Sequence, residues 1–148
     1  METNMPEFIF PATLHPEPGG ALTVTFPDFP EAITSGAGKA DALLQAADCL
    51  QEAIAGRMVR KEGIPSPSRQ RRGQAMVRVA LYLAPKLALY LAMREQRVNN
   101  SQLAHRLGVT ETVVRRMLNP KHDTKPEKLQ EALEALGKTV AVVVRDAA

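Results

Sequence analysis

The stretch Asn99–Asn119, NNSQLAHRLGVTETVVRRMLN, holds the side chains best suited to chemistry, and the chemistry is recognition rather than bond-making. Glu111, Thr112, Arg115, Arg116 and Asn119 recur at offsets that place them on one side of a short helix. An arginine there can donate bidentately to the O6 and N7 of guanine. Thr112 and Asn119 suit neighbouring bases or phosphates, and Thr110 begins the same surface. Gln102 and Lys121 flank it as donors able to hold the phosphate backbone. Such a set implies reading sequence in the major groove of DNA.

That surface works only if two helices cross steeply, and the residues between supply what the crossing needs. Ala104 is small where the helices must touch, and Gly108 can take the left-handed conformation of the turn. Leu103, Leu107, Val109, Val114 and Met117 recur at helical spacing toward a shared core. Asn99 and Gln102 fit a capping box for the first helix, and Thr110 fits a cap for the second. A surface hairpin with merely solvated charges is the competing interpretation. The small residue, the glycine, the apolar positions and the basic face at matched offsets favour a helix-turn-helix. The segment resembles that of phage-repressor-like bacterial regulators.

The net charge of +3 conceals an asymmetry. Residues 1–64 hold four Lys/Arg against nine Asp/Glu, residues 65–75 three Arg and no acid, and residues 76–148 twelve against seven. An acidic front suggests a basic partner and a basic back a polyanion. The single cysteine, Cys49, excludes an internal disulfide and suits a reducing compartment. METNMPEF lacks the pattern of a secretory signal, and Pro85 and Lys86 interrupt the apolar run near Leu81–Met93. The expectation is a cytoplasmic protein with no membrane partner.

Composition divides the 148 residues into a front domain at 1–62, a Pro/Ser/Arg linker at 63–75 and a back domain at 76–148. Glu7–Leu14 and Ala21–Phe26 alternate like strands around a Pro-Gly-Gly turn, with a short third strand near Glu31–Ser35. A helix follows from about Lys39 to Arg60. In the back domain Met76–Leu83 reads as a strand, and a helix opens at Pro85. Thr124 and Glu127 fit a capping box for a last helix ending at Gly137. Lys138–Arg145 is apolar on both faces and reads as a buried strand. These two strands are expected to pair with each other and across a two-fold axis, making a homodimer that binds an inverted repeat. Whether dimers pair into tetramers stays open. The fold class is therefore α+β: a small antiparallel sheet with one helix, then a helical helix-turn-helix domain flanked by dimerising strands.

Catalysis finds little support. Asp28 and Glu31 fall in a Pro-bounded turn and Asp41 in a first helical turn, which argues against a converging metal-binding acid set. His15, His105 and His122 lack metal-ligand spacing, and Cys49 has no neighbouring base. Tyr82 and Tyr90 read as core or interface residues. No metal, no cofactor and no catalytic residue is expected.

A second pattern lies in the front: Phe10-Pro11-Ala12, Gly19-Gly20, Val24, Phe26-Pro27-Asp28-x-Pro30 and Thr34-x-Gly36. With the helix after it and the later helix-turn-helix, this resembles the HicB antitoxins over nearly the whole chain. It departs at Ala21, where an aromatic is usual, and at Gly38, where a better helix cap is common. The resemblance implies a front domain like a truncated ribonuclease H fold without its catalytic acids. It also implies a basic, mRNA-cleaving HicA-like toxin as partner and repression of the protein's own operon. Inhibition would be steric, with the front domain covering the toxin's active site through residues the sequence does not single out. The alternative is a stand-alone regulator whose front domain binds a small ligand; it would need a polar, convergent pocket.

Overall fold

The computed structural model describes residues 7–147, in two compact units that meet in sequence between Ala84 and Pro85. In the front unit, β1 (Ile9–Pro16), β2 (Leu22–Phe26) and β3 (Phe29–Gly36) form an antiparallel meander, followed by α1 (Lys39–Val59). Gly19 and Gly20, with φ of 86° and 89°, make the first turn. Alternation sends Phe10 and Ala12 of β1, Val24 and Phe26 of β2, and Phe29 and Ala32 of β3 into the core. Ala42, Ala46, Leu50, Ile54 and Met58 of α1 close over them, and Phe10 meets Phe29 edge-to-face at 5.0 Å.

Two contacts set how α1 lies on the sheet. Gly36 comes so close to the helix start that a Cβ there would sit 2.3 Å from the Ala42 nitrogen. Farther along, Arg57 stacks on the Phe29 ring at 4.8 Å while its guanidinium grips Glu31 bidentately, at 2.6 and 2.8 Å. That grip holds the Glu31 carboxyl below its ordinary pKa.

The sheet has a fourth strand. β4 (Gln74–Arg78) lies antiparallel beside β1, pairing Phe10 with Val77, and the order is β3-β2-β1-β4. The sequence-based strand at Met76–Leu83 thus exists in part but belongs to the front sheet. It does not pair with Lys138–Arg145. Buried Gln51 of α1 gives the physical reason: its amide donates to the Arg78 carbonyl at 3.2 Å and accepts from the Ala80 N–H at 3.0 Å. Val77 and Val79 add apolar burial. Residues 63–75 are consequently a tethered crossover rather than a free linker. Ser68 bonds Asp28 through both its N–H, at 2.9 Å, and its hydroxyl. With crossover and β4 included, the front unit holds eight Lys/Arg against nine Asp/Glu and is close to neutral as a whole.

The back unit is helical: α2 (Ala84–Gln96), α3 (Asn100–Leu107), α4 (Glu111–Leu118) and α5 (Pro126–Ala135). Leu89, Met93, Leu103, Ala104, Val114, Met117, Leu129 and Leu133 make its core. α5 is not capped by Thr124. Pro126 takes the first-turn position, and the Thr124 hydroxyl is committed elsewhere. The helix closes at Gly137, φ 75°, with Lys138 N–H reaching back to the Leu133 carbonyl. Residues 138–147 form no strand, which corrects the expectation for Lys138–Arg145. Val140 leans on the helical core, while Val142, Val143 and Val144 are exposed. A lone β-branched segment cannot satisfy its backbone as a strand without a ladder partner. No helix among the described residues is long and apolar enough to cross a membrane.

Candidate nucleic-acid interface

Short-range chemistry builds the helix-turn-helix. Asn99 Oδ1 accepts the Gln102 N–H at 2.8 Å while Gln102 Oε1 accepts the Asn99 N–H at 2.9 Å, a reciprocal box that starts α3. Gly108 ends it at φ 67°, ψ 33°, and the Val109 N–H returns to the Ala104 carbonyl at 3.0 Å. Thr110 then caps α4, accepting the Val113 N–H at 3.4 Å.

Val114 and Met117 anchor α4 inward, which turns Thr112, Arg115, Arg116 and Asn119 to solvent with Glu111 at the helix start. Thr110, Gln102 and Lys121 are exposed as well. The structure therefore leaves each of these sequence-derived candidates exposed, yet does not leave them equivalent. Arg115 is held along its own helix, 3.0 Å from the Thr112 hydroxyl and 3.5 Å from Glu111. Arg116 points outward with no side-chain partner among the described residues. Asn119 Oδ1 accepts the Lys121 N–H at 3.0 Å, which leaves its NH2 to donate. Bidentate adenine recognition needs both ends of the amide, so Asn119 in this state suits a phosphate or a single acceptor. Gln102, its oxygen engaged in the cap, is likewise a donor.

Sequence reasoning missed Lys86. It is 2% exposed, and its ammonium donates to the carbonyls of Arg116 (3.0 Å) and Met117 (2.9 Å) and to the Thr124 hydroxyl (2.8 Å). Burial pushes its pKa down to about 8, against the smaller opposing influence of Asp123. A signal was present: with Leu89, Tyr90 and Met93, Lys86 occupies a core position in the repeat of α2.

The remaining polar candidates have structural partners. Asp28 binds Ser68 and Glu31 binds Arg57; Asp41 accepts the Ala37 N–H at 2.9 Å, tying the chain just before α1 to its first turn. Among the described residues no cluster of His, Cys, Asp and Glu is arranged to hold a metal. Burial raises the Cys49 thiol pKa, which makes it less reactive. His15, His105 and His122 are exposed and dispersed. A surface depression of about 230 Å³ lies over α1 and β3, lined by Glu31, Cys49, Glu52 and Arg60 among others. It is shallow and small beside ordinary ligand pockets.

Residues 9–88 match the family model described as the HicB_like antitoxin of bacterial toxin-antitoxin systems. That match takes in β4 and ends just inside α2. Similarity to individual proteins runs further. Antitoxin HicB of Escherichia coli (strain K12) is 35% identical over 135 residues, covering 91% of this chain and 98% of the relative. Antitoxin HicB 2 of Photorhabdus laumondii subsp. laumondii is 37% identical over 129 residues, 87% and 90% of the two chains. Antitoxin HicB of Pseudomonas fluorescens (strain Pf0-1) is 28% identical over 141 residues, 95% and 96%.

Proposed function

The chain belongs to the HicB-like family of antitoxins of bacterial toxin–antitoxin systems, and on that premise we propose a division of labour between its units. The front unit neutralises a HicA-like, mRNA-cleaving toxin in the cytoplasm by covering its active site. The back unit represses the protein's own operon by binding operator DNA. Neither task requires a reaction catalysed by this chain. The observation that carries the second half is the outward face of α4, where Thr112, Arg115, Arg116 and Asn119 stand together on a doubly capped helix. For the first half, Asp48 and Glu52 on the exposed side of α1 offer a local acidic face to a basic partner.

Operator binding uses a dimer. Val142, Val143 and Val144 are 71%, 62% and 92% exposed in one chain, more apolar surface than a short tail ordinarily leaves to water. Pairing these segments across a two-fold axis would supply the missing ladder and present two α4 helices to half-sites about 34 Å apart, or a multiple of that. A chain ending at Gly137 should then be monomeric and should not bind operator. Sedimentation showing it still dimeric would overturn this arrangement.

Substitution in the full-length protein separates the two tasks. Arg116→Ala should weaken operator binding by about 1–3 kcal/mol and relax one base preference, because one bidentate contact is lost. Arg115→Ala should cost less, since that guanidinium is already engaged along the helix. Both variants should still rescue growth against the toxin. Mobility shifts at fixed salt and growth assays read the two outcomes. Unchanged DNA affinity in both variants would remove α4 from the interface.

A further inference from the structure

α4 is two turns long, and so short a helix leaves most of its last carbonyls without partners of its own. The Arg116 carbonyl nevertheless accepts from three donors: Lys86 Nζ at 3.0 Å, the Asn119 N–H at 3.2 Å and the Thr124 hydroxyl at 3.3 Å. The Met117 carbonyl takes a second proton of the same ammonium and the Thr124 oxygen the third. All three donors of Lys86 are thereby used.

Nothing in α2 favours a lysine at this place. Lys86 lies in the first turn, where a cation opposes the dipole of its own helix, and at a buried position of the apolar stripe. Its charge complements a different helix: it sits against the C-terminal carbonyls of α4, where positive charge is favoured. Arg116 is thus fixed at its backbone and unpartnered at its side chain. A long guanidinium arm reads a base only if its root is held, because bidentate geometry fails beyond about 0.5 Å and 10–20° of displacement.

Resting on the DNA-binding reading above, we propose that Lys86, with Thr124, is the positioning residue of the recognition helix, holding the backbone at Arg116 so that its side chain meets DNA in register. Lys86 itself touches no DNA. Its effect is on discrimination between sequences, transmitted through Arg116.

The test uses the full-length protein and a duplex selected by it from a random-sequence pool, with a scrambled duplex of equal length and composition as reference. If the wild type selects no sequence, the DNA-binding reading itself fails and this proposal goes with it. If a sequence emerges, Lys86→Met should lower the ratio of selected to scrambled affinity by about tenfold, within the worth of one bidentate contact. Affinity for the scrambled duplex should stay within about twofold, as phosphate contacts are untouched. In an Arg116→Ala background the same substitution should change the ratio by less than about twofold, since the residue it acts through is gone. An equal loss in both backgrounds, or an unchanged ratio in the first, overturns the proposal. Should circular dichroism show that Lys86→Met does not fold, Thr124→Val enters the same cycle, with an expected loss of about threefold that must again vanish beside Arg116→Ala.

Discussion

The front unit is held together by partners far apart in sequence, the helix-turn-helix of the back unit by partners three to five residues apart. In the front, Gln74 bonds Thr13 across 61 residues, Gln51 bonds Arg78 across 27, and Arg57 grips Glu31 across 26. In the back, Asn99 bonds Gln102, Thr110 bonds Val113, and Val109 closes on Ala104. Longer ties join the rest of that unit: Lys86 reaches 38 residues to Thr124, and Gln96 reaches 40 to the Leu136 carbonyl. The difference teaches where each unit is vulnerable: the front fails when a remote piece is missing, the back when a local conformation is disallowed.

The largest effect expected from that contrast is a truncation. A chain ending at Glu62 keeps β1–β3 and α1 but loses β4, leaving one side of β1 unpaired and Gln51 buried without its backbone partners. It should show no cooperative unfolding and should not rescue growth against the toxin. A chain ending at Ala84 restores β4 and should do both. Urea titrations of the two fragments read the first property. Equal cooperativity would mean that β4 is dispensable and that the shorter boundary suffices.

That fragment pair also marks what was legible in the sequence. Asn99 with Gln102, Gly108 and Thr110 were readable because each acts on a backbone group at most a turn away, and type plus spacing is the whole signal. The front meander was readable for the same reason, since alternation and a Gly-Gly turn are local. The place of β4 was not. A five-residue strand carries no mark of which edge it will join, and its partner lay on the far side of a 21-residue helix. Lys138–Arg145 is the converse case: apolarity on both faces reads as a strand, and a single chain gives it no ladder. At the interface, the exposed recognition residues were visible from periodicity. The buried lysine behind them shares a core position in the same kind of repeat, but its charge suggests surface until three acceptors are seen around it.

A pair of glycines tests the contrast at smaller scale. Gly36→Ala places a Cβ 2.3 Å from the Ala42 nitrogen and 2.5 Å from its Cα, backbone atoms that cannot swing aside. The front unit should lose about 3 kcal/mol, the upper part of the usual overpacking range. Gly108→Ala meets nothing within 4 Å and suffers only its φ of 67°, so the back unit should lose about 1–2 kcal/mol. Amide exchange resolved by unit gives both numbers. If Gly108→Ala cost the more, the helix-turn-helix would depend on packing at the turn that this structure does not contain.

The smallest effect concerns pH, and its sign differs between the units. In the front, Arg57 lowers the Glu31 pKa from 4.5, so the pair stabilises fully above about 4.5 and loses its contribution as pH falls through the lower folded value. In the back, Lys86 is the reverse kind of case. Its ordinary pKa is 10.5 and its folded value about 8, so between those limits the unfolded chain holds a proton that the folded one has released. Stability then rises with pH through that window. Below about 8 both states are charged, and the cost of burying the ammonium is constant and at its full size. Comparing wild type with Lys86→Met cancels the titration of exposed lysines common to both. The wild type should gain on the variant as urea midpoints are measured at pH 7, 8.5 and 10, with no change in their difference between pH 6 and 7. Parallel midpoints across the whole range would mean that the ammonium keeps its proton in the fold. The three acceptors would then outweigh burial, and Lys86 would hold Arg116 as a permanent charge.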